Sequence, residues 1–521
     1  MRKSVLLSGK HKSVGVPLAP EIKNLFPQAQ VVTHKGNPFI VLPHGRDETR
    51  FLRNIGYEVD APIVHQYDWC GGSPFSVQVR TAAMLTLNDR AYVLNGMGTG
   101  KTKAALWAWH FLYKTGAAKK LLVAAPLSTL NFTWAGEVFA TLPGIKANVL
   151  YGDRAKRLKL LADTEADVYI INHDGVKTIE KELMLRNDID TLVIDELAAF
   201  RNGTAQRTKM MRKIAARMEH VWGMTGSPTP NAPTDAWGQA SIVTPHTIPK
   251  RQTRFRDMVM HQVSQFRYVP KKDALDHVYN ALQPAVRFTL DDVVELPELV
   301  ERTLDIDLGV KQAKVYSEME KAAFAAVAGG EITAVNAGAV LMKLLQISTG
   351  WVYDKDRNVH KLDGDARLDA LVDALSSTEN KAIVFVPFIH ALDGIAERLE
   401  AEGMSFEVVS GSVPKRQRDN IFARFQSTVF PRVLLAHPQC MSHGLTLTAA
   451  DTVIWYSPVT SLETFEQANA RIRRIGQKRK QLVLMLQGTK SERYLYTRLR
   501  NKQAVQNVLL SMYEASMSEA D

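Results

Sequence analysis

Ala91-Tyr92-Val93-Leu94-Asn95-Gly96-Met97-Gly98-Thr99-Gly100-Lys101-Thr102 is the stretch that decides the fold. A short apolar run of strand character leads into three glycines, each separated from the next by one residue, and helix-forming residues follow from Lys101. Glycines at these positions let backbone N–H groups turn inward around a β-phosphate at a helix N-terminus. Lys101 is expected to reach the β- and γ-phosphates, and the Thr102 hydroxyl to bind Mg²⁺. Gly98, Thr99, Gly100, Lys101 and Thr102 are thus the candidate nucleotide ligands. The strict pattern wants glycine at position 95, where asparagine stands, but the loop length is unchanged. A glycine-rich turn with an exposed lysine is the competing reading. The strand before and the helix after favour the nucleotide.

Working outward, the same strand–helix rhythm runs on both sides. Strands are expected at 91–94, 121–125, 147–150, 167–171, 191–194 and 220–224, and again at 382–386, 406–409, 432–436, 452–455 and 481–485. Such alternation is the mark of parallel sheets covered on both faces. Between the two series, residues 246–365 break the rhythm with basic, helix-prone stretches at 250–272, 310–328 and 335–347. The expected plan is a small β-rich accessory unit over 1–74 and a first α/β lobe over 75–245. A helical insertion and linker over 246–365 follow, then a second lobe with the C-terminal tail over 366–521.

A loop that only holds phosphates does not hydrolyse them. Leu192-Val193-Ile194-Asp195-Glu196 supplies the second element, an apolar strand ending in two carboxylates. Asp195 is suited to hold the Mg²⁺ shell and Glu196 to orient and deprotonate an attacking water. Taken alone, a buried strand ending in Asp-Glu is common. Downstream of a phosphate loop in one strand–helix series, it points to hydrolysis.

Composition narrows the classes. The chain has 521 residues, 45% hydrophobic and 23% charged, which suits a globular chain of several domains and excludes a disordered or collagen-like one. No apolar run is long enough for a membrane span. The N-terminal apolar run is too short for a secretory signal, so a cytoplasmic protein is expected. Two distant cysteines, Cys70 and Cys440, argue against a disulfide framework or zinc site. Lys and Arg number 65 against 54 Asp and Glu, a net charge of +11. That surplus suits a polyanion, although a basic surface kept for solubility explains it equally well.

Gln467-Ala468-Asn469-Ala470-Arg471-Ile472-Arg473-Arg474-Ile475-Gly476-Gln477 is the third informative stretch. A solvated basic helix face is the bland reading. In a two-lobed ATPase, Arg471 and Arg474 on one helical face could instead reach across a cleft to the γ-phosphate as an arginine finger.

These motifs resemble the Swi/Snf family of ATP-dependent DNA translocases within helicase superfamily two, over about 75–498. The loop NGMGTGKT is similar to the family's first motif, and Gln78 to its upstream adenine-reading glutamine. Ala125-Pro126-Leu127-Ser128-Thr129-Leu130, then Trp134, resembles the motif that in the family lies against a DNA strand. The segment 195–202 resembles the acidic motif, and 223–231 the motif linking hydrolysis to DNA contact. Ile383-Val384-Phe385, Gly411-Ser412, Arg418 with Phe425, and the run from Gly444 to Ala450 follow in the family's order, closed by the RIGQ ending at Gln477. The resemblance implies two RecA-like lobes, ATP and Mg²⁺ as cofactors, Gly444 among the nucleotide ligands, and a monomeric motor tracking along duplex DNA. Ser128, Thr129, Thr225, Ser412 and Thr446 are its candidate DNA contacts.

Departures mark a divergent, trimmed member, of a kind often encoded by bacteria or their viruses. Ala198 replaces the usual histidine, Ser442-His443 two common glycines, Thr446 an asparagine and Arg473 a histidine, and the double-arginine signature is reduced to Arg287. A basic surface supports nucleic acid independently: 471–480 carries six basic residues and no acid, and Lys415, Arg416, Arg418 and Arg424 add to it. A strand-separating helicase on DNA or RNA shares most of these motifs, and an ATP-switched nucleic-acid clamp is a further alternative. Tyr67, Trp69 and Phe75 could stack on adenine or simply pack in a core. The histidines at 11, 34, 44 and 65 lack ligand spacing and are expected on the surface or in loops.

Overall fold

The computed structural model describes residues 5–229, 232–264, 267–293, 296–328, 334–354, 356, 358–441 and 446–501. It divides into two compact units, 1–293 and 294–521, each built on a parallel sheet. Residues 246–365 are therefore shared between the units, dividing at Val293.

In the first unit, seven strands run in the order Ala285–Val286, Arg90–Val93, His220–Met224, Ile189–Asp195, Lys120–Ala125, Val168–Asn172 and Ala147–Val149, all pairings parallel. Alternate side chains feed two cores. Leu122, Ala124, Leu192 and Ile194 join the cluster on one face, and Leu121, Val123, Ala125 and Val193 the cluster on the other. All seven residues of Ile189–Asp195 are buried, as a strand sandwiched between helical layers must be. Ligands in such sheets gather at the carboxyl ends of the strands, which is where the phosphate loop and the acidic pair lie.

The N-terminal part of this unit is a four-stranded antiparallel sheet in the order Leu6–Ser8, Ser13–Pro17, Asn37–Pro43, Gln30–His34, packed around Val14, Val16, Ile40 and Leu52. Arg46 ties it to the lobe, donating to Thr86 O at 2.7 Å and pairing with Asp89. His44 lies in the loop after Asn37–Pro43 as expected but is buried there, 2% exposed, with a ring nitrogen donating to Asp60 O at 2.8 Å.

The stretch 250–272 is helical only over Gln252–Val259. It then turns into an antiparallel hairpin, Met260–Ser264 with Arg267–Pro270. β-branched Val263 and Val269 and aromatic Tyr268 favour extended chain over a continued helix.

The second unit repeats the plan with six parallel strands in the order Leu299–Asp305, Gln481–Gln487, Ala450–Trp455, Lys381–Phe385, Val433–Ala436, Phe406–Val409. Ile383, Phe385, Val453 and Trp455 line one core, and Ala382, Val384, Ile454 and Leu486 the other. Helices Val310–Ala328 and Ala334–Ser348 belong to this unit, anchored by Tyr316 OH to Ser491 Oγ at 2.7 Å. A buried ion pair fastens its C-terminal helix Lys490–Arg500. Arg367 meets Glu492 through two bonds of 2.8 and 2.7 Å, with side chains 2% and 0% exposed. Among the described residues, no helix is long and apolar enough to cross a membrane.

Candidate active site

The phosphate loop follows strand Arg90–Val93 and opens helix Lys101–Lys114. Gly98 and Gly100 have φ of +78° and +77°, which side chains disfavour. A Cβ at Gly100 would also lie 2.0 Å from Gln78 Nε2, so the glutamine would have to swing away. Gln78 comes from helix Ser76–Leu87, is 4% exposed, and its Oε1 reaches back to accept the Phe75 N–H at the helix N-terminus at 2.9 Å. Gln78 is thus held against the loop by its own helix cap.

Thr99, 1% exposed, donates its hydroxyl to Gly96 O at 2.9 Å. Lys101 Nζ lies over the loop, donating to Asn95 O at 2.9 Å and Gly96 O at 3.1 Å. Thr102 is half-buried in the first helical turn. A left-handed glycine cradle, a helix N-terminus and an ammonium over the loop fit a triphosphate.

Strand register sets the acidic pair beside this loop. Met224 pairs with Val93 on one side and Asp195 on the other, so the three strand ends form one row. Asp195 is 8% exposed. Its Oδ2 accepts the Trp134 indole N–H at 3.0 Å and its Oδ1 the Glu196 N–H at 3.1 Å. His173 Nε2 donates to Asp195 O at 2.8 Å, and its ring meets Phe200 edge-on at 4.9 Å. Glu196 is half-buried with φ +50°, a left-handed backbone that costs a non-glycine residue about 1–2 kcal/mol. An oxygen ligand set of Thr102 and Asp195 has the hardness Mg²⁺ prefers.

Trp134 is 0% exposed, and its indole N–H is given to the Asp195 carboxylate. The segment delivering it is unusual: a 3₁₀ turn at Leu127–Thr129 runs directly into a π-helical turn at Leu130–Ala135. π turns are rare and often re-aim a side chain.

Of the short hydroxyl residues, Ser128, Ser412 and Thr446 are exposed. Thr129 and Thr225 are 3% and 1% exposed, and their hydroxyls are engaged locally, Thr129 donating to Pro126 O and Thr225 accepting the Ser227 N–H. Pro230, Asn231, Ser442, His443 and the candidate ligand Gly444 lie outside the described residues. Tyr67 and Trp69, both half-buried, pack edge-on with Trp107, Phe111 and His110 against the core of the first unit.

In the second unit, helix Leu462–Asn469 ends before the arginines, so Arg471 and Arg474 stand on successive turns instead of one helical face. Gly476, at φ +98°, and a buried Gln477 amide enforce that path. Gln477 Nε2 donates to Ala450 O at 2.8 Å and Ile472 O at 3.2 Å, while its Oε1 accepts the Lys478 and Arg479 N–H groups at 3.0 and 3.1 Å. The glutamine of RIGQ thereby staples the arginine turn to strand Ala450–Trp455. Arg471 is 2% exposed. Arg474 donates to Ala470 O at 3.2 Å and Thr446 Oγ1 at 3.1 Å, and burial pushes its guanidinium down to about 10.

Sequence reasoning missed His173 and the role of Gln477. The first had a signal, because it directly follows the buried strand Val168–Asn172 at the ligand end of the sheet.

A glycine loop and an acidic pair on adjoining ends of one parallel sheet, with a second parallel-sheet unit after it, define a two-lobed ATP hydrolase. Sequence comparison gives the family: the SNF2-related domain matches residues 90–350 and the helicase conserved C-terminal domain 366–476, and the chain belongs to these SNF2-type helicase-like ATPases. It is 29% identical to protein p41 of Acyrthosiphon pisum secondary endosymbiont phage 1, over 74% of this chain and 85% of that one. It is 23% identical to an uncharacterized ATP-dependent helicase of Mycoplasma genitalium, over 80% of this chain but only 40% of the relative. A Xenopus laevis SWI/SNF-related regulator of chromatin is 24% identical over 84% of this chain and 43% of its own length. The Sulfolobus solfataricus SWI2/SNF2 ATPase core in complex with dsDNA aligns over 87% of this chain and 96% of its own, with 18% identity and a TM-score of 0.40.

Proposed function

We propose that this ATPase is a motor that moves along duplex DNA, in remodelling, repair, recombination or replication. The row formed by Val93, Met224 and Asp195 carries the reading, because it sets the phosphate loop and the acidic pair at neighbouring strand ends. Lys101 holds the β- and γ-phosphate oxygens, and the loop amides and helix N-terminus share that charge. Bound Mg²⁺, held by Thr102 and Asp195, would neutralise phosphate oxygens. Glu196 orients the attacking water and accepts its proton. Arg471 and Arg474 are the cations assigned to the transferring phosphoryl group. In cis such a cation is worth about 10³–10⁵ in rate.

Exposed Ser128, Ser412 and Thr446, and the basic residues of helix Lys415–Ser427, support a phosphate-backbone track without sequence preference. Relatives named as chromatin regulators and as ATP-dependent helicases support the same class.

ATP turnover is to be measured with no nucleic acid, and with duplex, forked and single-stranded DNA and RNA. Duplex DNA is expected to stimulate most, with a steep loss at high salt. Stronger activation by single strands or RNA would move the assignment to a strand-separating helicase, and no turnover in saturating DNA to a clamp. Lys101→Ala and Glu196→Gln should each abolish hydrolysis, and Glu196→Gln should keep ATP binding. Retained turnover in Glu196→Gln would refute the base assignment.

A further inference from the structure

A strand ladder continues into the phosphate loop. The N–H groups of Tyr92, Leu94 and Gly96 donate in turn to the carbonyls of Pro284, Val286 and Phe288, at 2.9, 2.8 and 2.7 Å. The first two accompany the parallel pairing of Arg90–Val93 with Ala285–Val286, and the third is made by the loop itself. Asn95 closes the arrangement. It is 2% exposed, its Oδ1 accepts the Phe288 N–H at 3.0 Å, and its Nδ2 donates to Thr81 Oγ1 at 3.0 Å. Thr81 is 0% exposed and donates to Val77 O at 2.6 Å, inside the helix that carries Gln78. Arg80 lies over the Phe288 ring at 4.6 Å. After Phe288, the Thr289 N–H and hydroxyl both donate to Asp292, and the chain passes into the second unit after Val293. Glycine at 95, which the strict loop pattern wants, would make neither side-chain bond.

We propose that Asn95 is a positioning residue for ATP binding. Its amide clamps the entry of the phosphate loop to residues 284–288, so that nucleotide affinity depends on that segment being seated. The inference rests on 95–102 being the ATP phosphate loop. Lys101 Nζ donates to the carbonyls of Asn95 and Gly96, the two residues the clamp fixes. Unseating Phe288 therefore shifts the carbonyls that hold the ammonium. Because the clamped segment leads directly into the second unit, tension on it reaches the loop through hydrogen bonds alone. Nucleotide binding in turn tightens the segment, since coupling between two sites is reciprocal.

The test uses the full chain, ADP as the probe, and the variants Asn95→Ala and Thr81→Val. Losing a buried hydrogen bond of this kind should raise the ATP KM and the ADP Kd about tenfold in Asn95→Ala, with kcat within about twofold. Thr81→Val, which removes only the acceptor of the Asn95 Nδ2 hydrogen and leaves the Asn95–Phe288 bond in place, should shift both constants in the same direction by about threefold. In the wild type, saturating ADP should slow amide exchange across residues 285–290. In Asn95→Ala at saturating ADP that slowing should vanish. A lower melting temperature with wild-type KM in both variants would overturn the proposal, as would ADP-dependent protection that survives in Asn95→Ala. Should Asn95→Ala not fold, Thr81→Val and exchange in the wild type decide. Wild-type protein that fails to bind ADP would sink the loop assignment itself. ADP binding without slowed exchange at 285–290 would leave the loop standing and remove the clamp.

Discussion

Replacing Trp134 with phenylalanine keeps the ring in its pocket and deletes one hydrogen, the indole N–H that meets Asp195 Oδ2 at 3.0 Å. The carboxylate is 8% exposed, so water is poorly placed to substitute. A hydrogen bond to a charged group contributes about 1.5–3 kcal/mol, and one pKa unit corresponds to about 1.4 kcal/mol. Loss of the donor disfavours the ionised form of the carboxylate. A proton then competes with Mg²⁺ on the acid side. The expected result for Trp134→Phe is an apparent Mg²⁺ constant, read from ATP turnover, raised several-fold at pH 6 and little changed at pH 8. Stability should fall too, with a melting temperature lower by roughly 3–12 °C at about 2–4 °C per kcal/mol. An Mg²⁺ requirement identical to wild type at both pH values would refute the reasoning.

Arg474→Ala should lower kcat by about 10³-fold with little change in ATP affinity, measured by turnover and nucleotide binding. Equal loss of both would remove the finger role. Glu492→Gln leaves the Arg367 guanidinium buried without its counter-charge and should cost the second unit about 3–5 kcal/mol, visible by calorimetry. Asp89 is held well below the usual carboxylate range, first by its contact with His220 and then by Arg46, against an opposing desolvation. A depressed folded-state pKa contributes stability that is present above the unfolded pKa, near 4, and is lost as pH falls through the folded value. Asp89→Asn should therefore be less stable than wild type at pH 7, with the gap narrowing below about pH 4 in chemical denaturation.

The sheets were legible because burial on both faces writes near-continuous apolar runs. His220–Met224 and Phe406–Val409 fall where expected to the residue, and other strands shift by one or two positions at their ends. The glycine loop and Asp195-Glu196 were legible because their chemistry constrains consecutive residues. What escaped depends on distant partners. Strand Ala285–Val286 is two residues long, and its existence hangs on carbonyls that match the amides of 92, 94 and 96. The arginine segment follows a helix and is rich in helix formers, yet Gln477 bonds to Ala450 O and draws it into turns. For Trp134, nothing local announces a π turn that aims its indole at a carboxylate in another strand.

Glu196 occupies a backbone conformation that glycine or asparagine would accept more readily. With Glu196 as the proposed base, heat resistance and turnover pull this position in opposite directions. A library of variants sorted only for survival at high temperature would drift toward residues lacking a carboxylate there, and would enrich well-folded proteins that bind nucleotide and leave it intact.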